Sequence, residues 1–504
     1  MRPRTMLVGV AVDVLVVGAG PSGLFSAVEL ARHGVRARVV ERRPEPHYQA
    51  RATAIQPGTL ELLARAGVAD ATLAASEHLR CARVLDANLE LISELAFAGT
   101  GCKWEFQCSL PQWRTEQILS ERLGELGVTV ERGITASSIE SRPEGLLVAL
   151  EDVDGTTEIA EAGWVIGAGG AHSVTRASMT QELAGSTYPG TALVGDVRIR
   201  GGPPRDGGAL VATAHGYVLL APLPDDRWIT FIGDLDDDEL DRMRDGTPQG
   251  AIAASMKRRL GSIIVVEDVA WAASFRMHHR LAPRLAGDRR FLLGDAGHVS
   301  SPFGGEGMNS GLHDACNLGW KLALTVSGHA APGLLESFEL ERLSADRQLL
   351  KVSDKLHALA HSAVRSARTG IRTPPPTPDD AAALARSRCI LDVSYADSPL
   401  VGEYLAAGAQ PPREPAVGAR YPEDDQLSGT RHHILLCGDA DEVKVARLRE
   451  RWTGLVDVDC VADGPSSSAL LIRPDGYVGF RAAPADAAGI EALDAHLDKY
   501  VLAA

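Results

Sequence analysis

Three glycines near the start of the chain have the spacing of a phosphate-binding turn. Gly18, Gly20 and Gly23 directly follow an apolar run at residues 14–17. In a turn from strand to helix, the first glycine permits the tight bend, the second lets the backbone approach a pyrophosphate, and the third lets the helix pack on the strand. Glu41 follows near the position of an acid that accepts ribose hydroxyls. The pattern predicts a dinucleotide site; the alternative is a glycine-rich turn with a surface carboxylate.

A second glycine-rich segment, much later in the chain, suits the other end of such a ligand. Asp295 follows the apolar run at residues 291–293 almost directly, and an acid at the end of a strand can accept hydrogen bonds from ribityl hydroxyls. Residues 302–309 predict a loop that leads into a helix, whose N-terminus would place free N–H groups against a flavin ring. Together the two segments predict FAD held at both ends; the alternative is an ordinary turn and helix cap.

The elements that position the first glycine segment form a compact βαβ unit. Residues 13–17 predict a buried strand, and residues 24–33 predict a helix that ends at Gly34. Residues 37–41 predict the second strand, so the opening of the chain indicates an α/β protein with a doubly wound parallel sheet. Later segments of the same unit are predicted as a helix at 117–126 and strands at 128–130 and 164–167.

The character of the chain changes in its middle and again towards its end. Between about 185 and 284, short apolar runs separated by Gly, Pro and Asp predict a mainly antiparallel, substrate-side sheet. A long helical stretch is predicted from about 309 to 362, and the proline-rich residues 374–378 predict a linker. Residues 380–504 predict a separate α/β unit that contains a hairpin at 469–480.

Composition limits the kinds of protein that this chain can be. Its 504 residues predict two or three domains, and its formal net charge of -15 disfavours nucleic acid or an anionic membrane surface as a partner. No apolar run approaches the roughly 18–20 residues that a membrane span needs. The seven scattered cysteines form no CxxC pair and predict reduced thiols in a cytoplasmic protein. The acidic run at 234–241 predicts a solvated loop and helix start, and no metal site is predicted.

Several of these segments, in this order, resemble the class A flavoprotein aromatic hydroxylases, which are FAD-dependent monooxygenases of the p-hydroxybenzoate hydroxylase fold. The segments that carry the resemblance are residues 18–23, Glu41 with Arg42, and residues 49–52, 111–117, 167–173 and 294–309. Residues 380–504 resemble the thioredoxin-like domain of the longer members, which include phenol hydroxylases and aromatic polyketide hydroxylases. Because Cys437 and Cys460 stand alone, this domain is predicted to be structural.

The resemblance implies three domains. The implied boundaries are 13–75, 105–184 and 285–372 for a discontinuous FAD-binding domain, 76–104 and 185–284 for an inserted β-rich substrate domain, and 380–504 for the thioredoxin-like domain.

The resemblance also implies which residues contact the cofactor. The three early glycines should meet the pyrophosphate, the strand-end acid the adenosine ribose, the later acid the ribityl chain, and the second glycine segment the flavin ring. The implied cofactor-binding residues are Gly18, Gly20, Gly23, Glu41, Arg42, Arg51, Arg114, Gln117, Asp295, Pro302, Gly304, Gly305, Gly307, Met308 and Asn309. For Arg51 and Arg114 the alternative is an exposed arginine on a helix. His278 and His279 are predicted to face the substrate or merely to lie on a strand, and no catalytic residue is assigned.

Two positions depart from the family pattern. The chain has Ala168, Gly169 and Gly170 where the family usually has Cys-Asp-Gly, so an acid near the cofactor is missing. Glu306 stands where the family often has Gln, and it is predicted to be a helix-capping residue. The alternative is a carboxylate close enough to the flavin to tune its redox chemistry or proton traffic.

The activity that the resemblance implies is oxygenation of an aromatic small molecule. NADPH or NADH would reduce FAD, and O2 would add to give a C4a-hydroperoxyflavin that transfers one oxygen to a phenolic or polycyclic polyketide-type ring. Two alternatives stay open. One is Baeyer–Villiger cleavage, epoxidation or inactivation of an aromatic antibiotic on the same scaffold, and the other is a non-catalytic flavin-binding accessory protein. Both a monomer and a homodimer are compatible with the sequence.

Overall fold

The computed structural model describes residues 6–8, 11–371, 377–407, 415–422, 427, 429–461 and 467–503. Residues 374–376 of the predicted linker lie outside the described residues, as do several positions of the predicted C-terminal unit.

The described strands fall into several sheets. The strands up to residue 167 are β1 (Met6–Val8), β2 (Val12–Val17), β3 (Ala37–Glu41), β4 (Ala54–Ile55), β5 (Glu77–Leu79), β6 (Cys81–Leu85), β7 (Leu91–Ala96), β8 (Gln107–Ser109), β9 (Val130–Arg132), β10 (Thr135–Arg142), β11 (Gly145–Glu151) and β12 (Thr157–Gly167). The later strands are β13 (Ala184–Thr187), β14 (Ala192–Arg200), β15 (Gly207–Thr213), β16 (Gly216–Leu223), β17 (Arg227–Gly233), β18 (Val265–Phe275), β19 (His278–Leu281), β20 (Ala286–Gly287), β21 (Arg290–Leu292), β22 (His298–Val299), β23 (Gly402–Leu405), β24 (His432–Cys437), β25 (Val456–Val461), β26 (Ser468–Ile472) and β27 (Val478–Ala483).

The helices connect and cover these sheets. They are α1 (Pro21–Arg32), α2 (Pro57–Arg65), α3 (Ala69–Ala75), α4 (Gln112–Glu125), α5 (Val174–Ser178), α6 (Asp237–Asp245), α7 (Pro248–Leu260), α8 (Glu306–Val326), α9 (Glu336–Thr369), α10 (Pro378–Arg388), α11 (Glu442–Arg451) and α12 (Ala487–Leu497). Within the part of the chain that the structure describes, no helix has the length and apolar character that crossing a membrane requires.

A largely parallel sheet forms the nucleotide-binding part of the molecule. Its main path is β10-β11-β12-β2-β3-β9, and β21 also pairs with β12. β2 runs parallel to β3 and β12, and β12 runs parallel to β21. The predicted α/β class with a doubly wound parallel sheet is therefore confirmed.

The first βαβ unit forms because its apolar residues and glycines suit one packing arrangement. The centre of β2 is completely buried, and α1 begins at Pro21, a residue that the first turn of a helix accepts without losing a hydrogen bond. Helix α1 ends before Gly34, whose φ of +76° is left-handed. On its outer side α1 packs closely on α8, where a Cβ added to Gly319 would lie 2.8 Å from Glu29 Cβ.

A second large sheet shares with the first the wall of the cavity described below. Its order is β18-β14-β17-β16-β15-β6-β7, and every neighbouring pair is antiparallel except β6 with β15. The predicted mainly antiparallel sheet is thus present, and its strand β18 runs from Val265 to Phe275. Helix α7 covers one face of this sheet. The acidic run at 234–241 forms a loop and the start of α6, as predicted. Asp236 and Glu239 form a capping box at the beginning of this helix.

One small sheet crosses the predicted domain boundaries. β13 and β19 come from the predicted substrate segment and its edge, and β19 pairs with β22, which belongs to the predicted FAD-binding segment. The domain boundaries therefore stay a prediction.

The single helical stretch predicted at 309–362 is wrong. Helix α8 ends at Val326 and α9 begins at Glu336. Directly after the C-cap Ser327, Gly328 has a φ of +81°, and such a left-handed residue ends a helix. The break lets α9 turn back along the cavity described below.

The C-terminal unit has its own mixed sheet in the order β23-β27-β26-β24-β25. β24, α11 and β25 form a parallel βαβ unit, and β26 and β27 form the predicted hairpin. The hairpin turn is closed by hydrogen bonds from Arg473 N to Tyr477 O (2.9 Å) and from Gly476 N to Arg473 O (2.8 Å). This arrangement agrees with the predicted thioredoxin-like α/β class. All seven cysteines of the chain are free thiols.

Candidate active site

The parallel strands end at a large cavity. Its wall includes a residue at or just after the carboxyl end of each of β2, β3, β12 and β21, namely Gly18, Glu41, Ala168 and Leu293. Ligands bind at this edge in open α/β sheets. The cavity measures about 1620 Å³, more than the roughly 300–1,000 Å³ typical of a site for one small molecule. The space is therefore sufficient for two ligands.

The early glycines divide into two kinds. A Cβ on Gly18 would lie 2.4 Å from Ala168 O, and one on Gly23 would lie 1.9 Å from Gly18 O, so close packing excludes a side chain at both positions. A Cβ on Gly20 would meet nothing within 4 Å. Gly20 borders the cavity together with Ser22 at the start of α1, which leaves room for a charged group at the helix N-terminus.

Glu41 faces the cavity at the end of β3. Its two carboxylate oxygens accept hydrogen bonds from Ala19 N (2.9 Å) and Arg43 N (3.0 Å). Each carboxylate oxygen has a second lone pair, so Glu41 keeps the capacity to accept ligand hydroxyls. Arg42, the next residue, is exposed and also borders the cavity.

Arg51 borders the cavity, but it does not lie on a helix as its alternative interpretation expected. It sits in an irregular segment with a φ of +40°, and its Nε donates to Gln49 Oε1 at 2.8 Å.

Helix α4 presents a different face to the cavity from the one expected. Arg114 donates to Gln117, and Gln117 donates to Glu121, each at 2.8 Å; neither Arg114 nor Gln117 is among the described residues that line the cavity. Gln112 and Glu116 line it instead, one helical turn apart. The structure therefore does not bring Arg114 and Gln117 to the site.

Asp295 lies in a short 3-10 turn after β21 and exposes its side chain to the cavity. The surrounding protein raises the pKa of Asp295, while the charges of His298 and Arg51 act to lower it.

A buried ion-pair network that the sequence did not reveal holds this turn. Asp314 accepts hydrogen bonds from Gly294 N (3.0 Å), His298 Nε2 (2.7 Å) and Arg342 Nε (2.7 Å). The carboxylates of Asp346 and Asp314 raise the pKa of His298 to about 9 against the opposing effect of its burial. His298, Asp314 and Asp346 are close enough together to hold a metal ion, but the cationic His298 and Arg342 already neutralise the two acids.

The second glycine segment forms the cavity wall at the start of α8. Gly304 and Gly305 have left-handed φ values of +94° and +69°. The members of this segment that line the cavity are Pro302, Phe303, Gly304, Gly305, Glu306, Gly307 and Met308. Asn309 is completely buried behind the loop, where it accepts from Gln56 N and donates to Ala54 O, each at 2.9 Å. Its contacts are those of a residue that holds the loop in place.

The two departures from the family pattern differ in their consequences. A Cβ on Gly169 would come no closer than 3.7 Å to Ser173 Cα, so the space for a side chain exists and the acid is simply missing. Glu306 does not cap α8: no side-chain hydrogen bond caps this helix, and the Glu306 side chain is only 1% exposed. The prediction of a capping role is wrong. Burial raises the pKa of Glu306 to about 8.

Opposite the glycine segments, the cavity wall is mainly apolar. Its residues from the antiparallel sheet are Val194, Leu210, Ala212, Leu219, Ala221, Ile229, Phe231, Trp271, Ala273 and Phe275, and helix α9 adds Leu356, Leu359, Ala360 and Ala363.

Only one of the two predicted histidines reaches this wall. His278 lines the cavity, and its Nδ1 lies 2.9 Å from Thr187 Oγ1. Burial and the nearby Arg280 and Arg276 lower the pKa of His278. His279 instead pairs with Asp354 at 2.8 Å, because successive residues of a strand point to opposite sides.

Fold and site together define a dinucleotide-binding α/β protein whose cavity continues onto an apolar sheet. Residues 11–353 match the FAD binding domain family, and the chain belongs to that family. The 6-methylpretetramide 4-monooxygenase of Streptomyces rimosus is 34% identical over 533 aligned residues, with 96% of this chain and 93% of that protein covered.

Two solved structures are similar over almost the whole chain. The OxyS anhydrotetracycline hydroxylase from Streptomyces rimosus has a TM-score of 0.77 at 27% identity, covering 97% of this chain and 99% of its own. Aklavinone-11 hydroxylase, solved with FAD and aklavinone, has a TM-score of 0.80 at 26% identity, covering 97% and 98%.

Proposed function

We propose that this chain is an FAD-dependent, NAD(P)H-using monooxygenase that hydroxylates a phenolic or polycyclic polyketide-type aromatic. The observation that carries the proposal is the single cavity that joins a dinucleotide-type glycine turn to an apolar sheet face. The names of two similar proteins, a 6-methylpretetramide 4-monooxygenase and an anhydrotetracycline hydroxylase, support the same activity.

The residues on the parallel-sheet side fit FAD. The open face of Gly20 and the start of α1 would receive the pyrophosphate, and Glu41 would accept the adenosine ribose hydroxyls. Asp295 would accept hydrogen bonds from the ribityl chain, and Arg42 and Arg51 would offset the phosphate charge. The loop at residues 302–308 would bound the ring. Arg114, Gln117 and Asn309 drop out of this set as direct contacts.

The residues on the opposite side suit a flat apolar substrate. The sheet face and α9 would exclude water. His278, whose Nδ1 contacts Thr187, would offer its remaining ring nitrogen to a polar group of the substrate. Bound FAD would supply oxygen activation once NADPH or NADH has reduced it. The protein would supply position, dryness and charge.

We further propose the three domains and the boundaries given above, a cytoplasmic location, and a monomer or homodimer as the working unit. The free thiols support a reducing compartment. The reaction partners would be an aromatic small molecule and O2.

The test is turnover by the purified, FAD-loaded protein with a panel of phenols and polycyclic hydroxyarenes. We expect at least one aromatic to stimulate NAD(P)H oxidation and to gain one oxygen with its ring carbons still connected, as read by mass spectrometry and NMR. A ring-inserted or epoxide product would favour the alternative oxygen insertions. Stimulation without any oxygenated product, or no stimulation by any aromatic, would contradict the proposal.

A matched pair of variants tests the cofactor assignment separately. Asp295→Asn should lower the FAD content of the purified protein, because the site loses a charged acceptor. Asp288→Asn, a change at a nearby exposed acid, should leave the FAD content as in the wild type.

A further inference from the structure

Three polar side chains form one corner of the cavity. Glu306 is the first residue of α8, Arg388 is the last residue of α10, and Gln107 begins β8; all three line the cavity. Arg388 Nη2 donates to Gln107 Oε1 at 3.1 Å, and its guanidinium carbon lies 5.2 Å from the centre of the Phe97 ring. Gln107 and Phe97 are both buried, so they hold the Arg388 side chain in position.

Within the described part of the chain, this corner contains polar atoms that have no partner. Both carboxyl oxygens of Glu306 and the Nε of Arg388 are buried without a hydrogen bond. Leaving such groups unsatisfied is costly, and buried polar groups in proteins are usually paired. The two side chains do not satisfy each other, although the charge of Arg388 acts on Glu306. Their missing partner is therefore expected to come from a molecule in the cavity.

The donor set defines the chemistry of that partner. Arg388 can only donate hydrogen bonds, and Glu306 donates when it is protonated. Burial keeps Glu306 in the protonated form at neutral pH, and Arg388 is the charged group that faces it. The titratable groups near Arg388 besides Glu306 are Cys81 and Cys389, whose pKa values burial raises to about 11 and about 12, so both stay neutral thiols. Arg388 and protonated Glu306 are therefore both hydrogen-bond donors, and the ligand group that suits them is an acceptor oxygen.

We propose that Glu306 and Arg388 together bind one acceptor oxygen, a carbonyl or a deprotonated hydroxyl, on the ring system of the aromatic substrate. The inference rests on the proposed function, since it assigns this corner to the substrate of that reaction. Glu306 is thereby a specificity residue that a glutamine at the same position reproduces only in part.

The test measures binding of acridone to the FAD-loaded protein by equilibrium dialysis. Acridone is a flat tricyclic ketone that does not ionise near neutral pH, so changes with pH report on the protein. Anthracene, which has the same three fused six-membered rings but no hydrogen-bond acceptor, is the matched ligand. The variants are Arg388→Gln, Glu306→Gln and, as a control on the same helix, Arg386→Gln. The Arg386 side chain is half-exposed and donates to Asp392 and to Thr100 O, away from the cavity wall.

We expect Arg388→Gln to weaken acridone binding at least about ten-fold at neutral pH, the size expected for one lost charge-assisted hydrogen bond. Anthracene binding and FAD content should stay at wild-type values, which separates a lost contact from a misfolded protein. Arg386→Gln should match the wild type throughout.

Glu306→Gln supplies the second arm. Wild-type affinity for acridone should fall as the pH rises through about 8, because an ionised Glu306 becomes an acceptor and competes for Arg388. The variant should show no such fall. Equal acridone affinity in Arg388→Gln and wild type, or a pH dependence that persists in Glu306→Gln, would overturn the inference. Because the readout is binding, oxygenated product formed by a protein that fails this test would leave the proposed function standing.

Discussion

Helix α8 carries a buried ionisable side chain near each of its ends, and the two ends differ in what faces that side chain. At its start, Glu306 and the neighbouring Arg388 have orphaned polar atoms beside the cavity. Near its end, Lys321 donates to Glu341 at 2.7 Å, and Arg473 of the C-terminal hairpin donates to the same carboxylate at 2.7 and 2.9 Å. The first group has unsatisfied hydrogen-bonding atoms beside the cavity. The second group links helices α8 and α9 to the C-terminal hairpin.

The comparison of the two ends shows how a buried ionisable residue that stabilises the fold differs from one that is available to a ligand. Burial alone does not, because Glu306 and Glu341 are both about 1–2% exposed. Their pKa values move in opposite directions: burial raises that of Glu306, while Arg473 and Lys321 hold that of Glu341 below its usual range. Pairing therefore distinguishes the two ends of the helix.

The largest effect should come from breaking the paired end. Arg473→Met would leave Lys321 as the cation that pairs with Glu341, beside the neutral donors Asn317 and Ser398. Asp475 would lose its cation, and removing one partner from a buried network costs about 3–5 kcal/mol. We expect urea unfolding to show this loss, with Arg386→Gln as the exposed-arginine control. Equal unfolding midpoints for Arg473→Met and wild type would show that the paired end of α8 does not stabilise the protein, which contradicts the account.

A substitution at the unpaired end of α8 should stabilise the protein instead of destabilising it. Glu306 has a folded-state pKa of about 8, above the value of about 4.3 for an unfolded glutamate, so the folded protein holds its proton more tightly. Its contribution to stability is present below about pH 4 and is lost as the pH rises through about 8. Glu306→Gln removes this titration, so the variant should be the more stable protein by about 1–3 kcal/mol near pH 9 and by less near pH 5.

Urea midpoints of the wild type and Glu306→Gln at several pH values check this expectation. A gap between the two proteins that stays constant with pH would show that Glu306 does not titrate in the folded state. A less stable variant at high pH would mean that the carboxylate has a partner.

A smaller contrast lies between the two faces of α4. Gln112→Ala should weaken FAD binding about five- to ten-fold, the equivalent of roughly 1 kcal/mol, because Gln112 lines the cavity and its Oε1 accepts from Ala52 N. Gln117→Ala should leave FAD affinity unchanged, because its side chain pairs with Glu121 on the exposed face. Titration of the apoprotein with FAD measures both. The reverse result would return Gln117 to the site.

The parts of the fold that the sequence predicts well are those governed by local rules. Gly18, Gly20 and Gly23 act within one turn, and the hairpin around Gly476 depends on a turn residue with a left-handed φ of +85°. The short apolar runs of β16 and β17, bounded by Gly, Pro and Asp, likewise indicate strands without knowledge of their partners. These features needed no long-range information.

What the sequence did not predict depends on tertiary packing. Which side of α4 faces inward depends on how the whole helix packs on its neighbours. The family resemblance therefore implies Gln117 as a cofactor contact, whereas Gln112 is the residue that lines the cavity. Arg388 follows the predicted linker and reaches the cavity only because α10 packs against it. Asn309 matches the family motif, but its partners Gln56 and Ala54 are more than 250 positions away.

The most direct test of the account is the source of the oxygen atom in the product. The purified protein is supplied with FAD, NAD(P)H, a stimulating aromatic and ¹⁸O₂, and the product is analysed by mass spectrometry. The account predicts one labelled oxygen per product molecule, formed in step with NAD(P)H oxidation. An unlabelled oxygen that derives from water, or release of all the reduced oxygen as hydrogen peroxide with the aromatic unchanged, would contradict it.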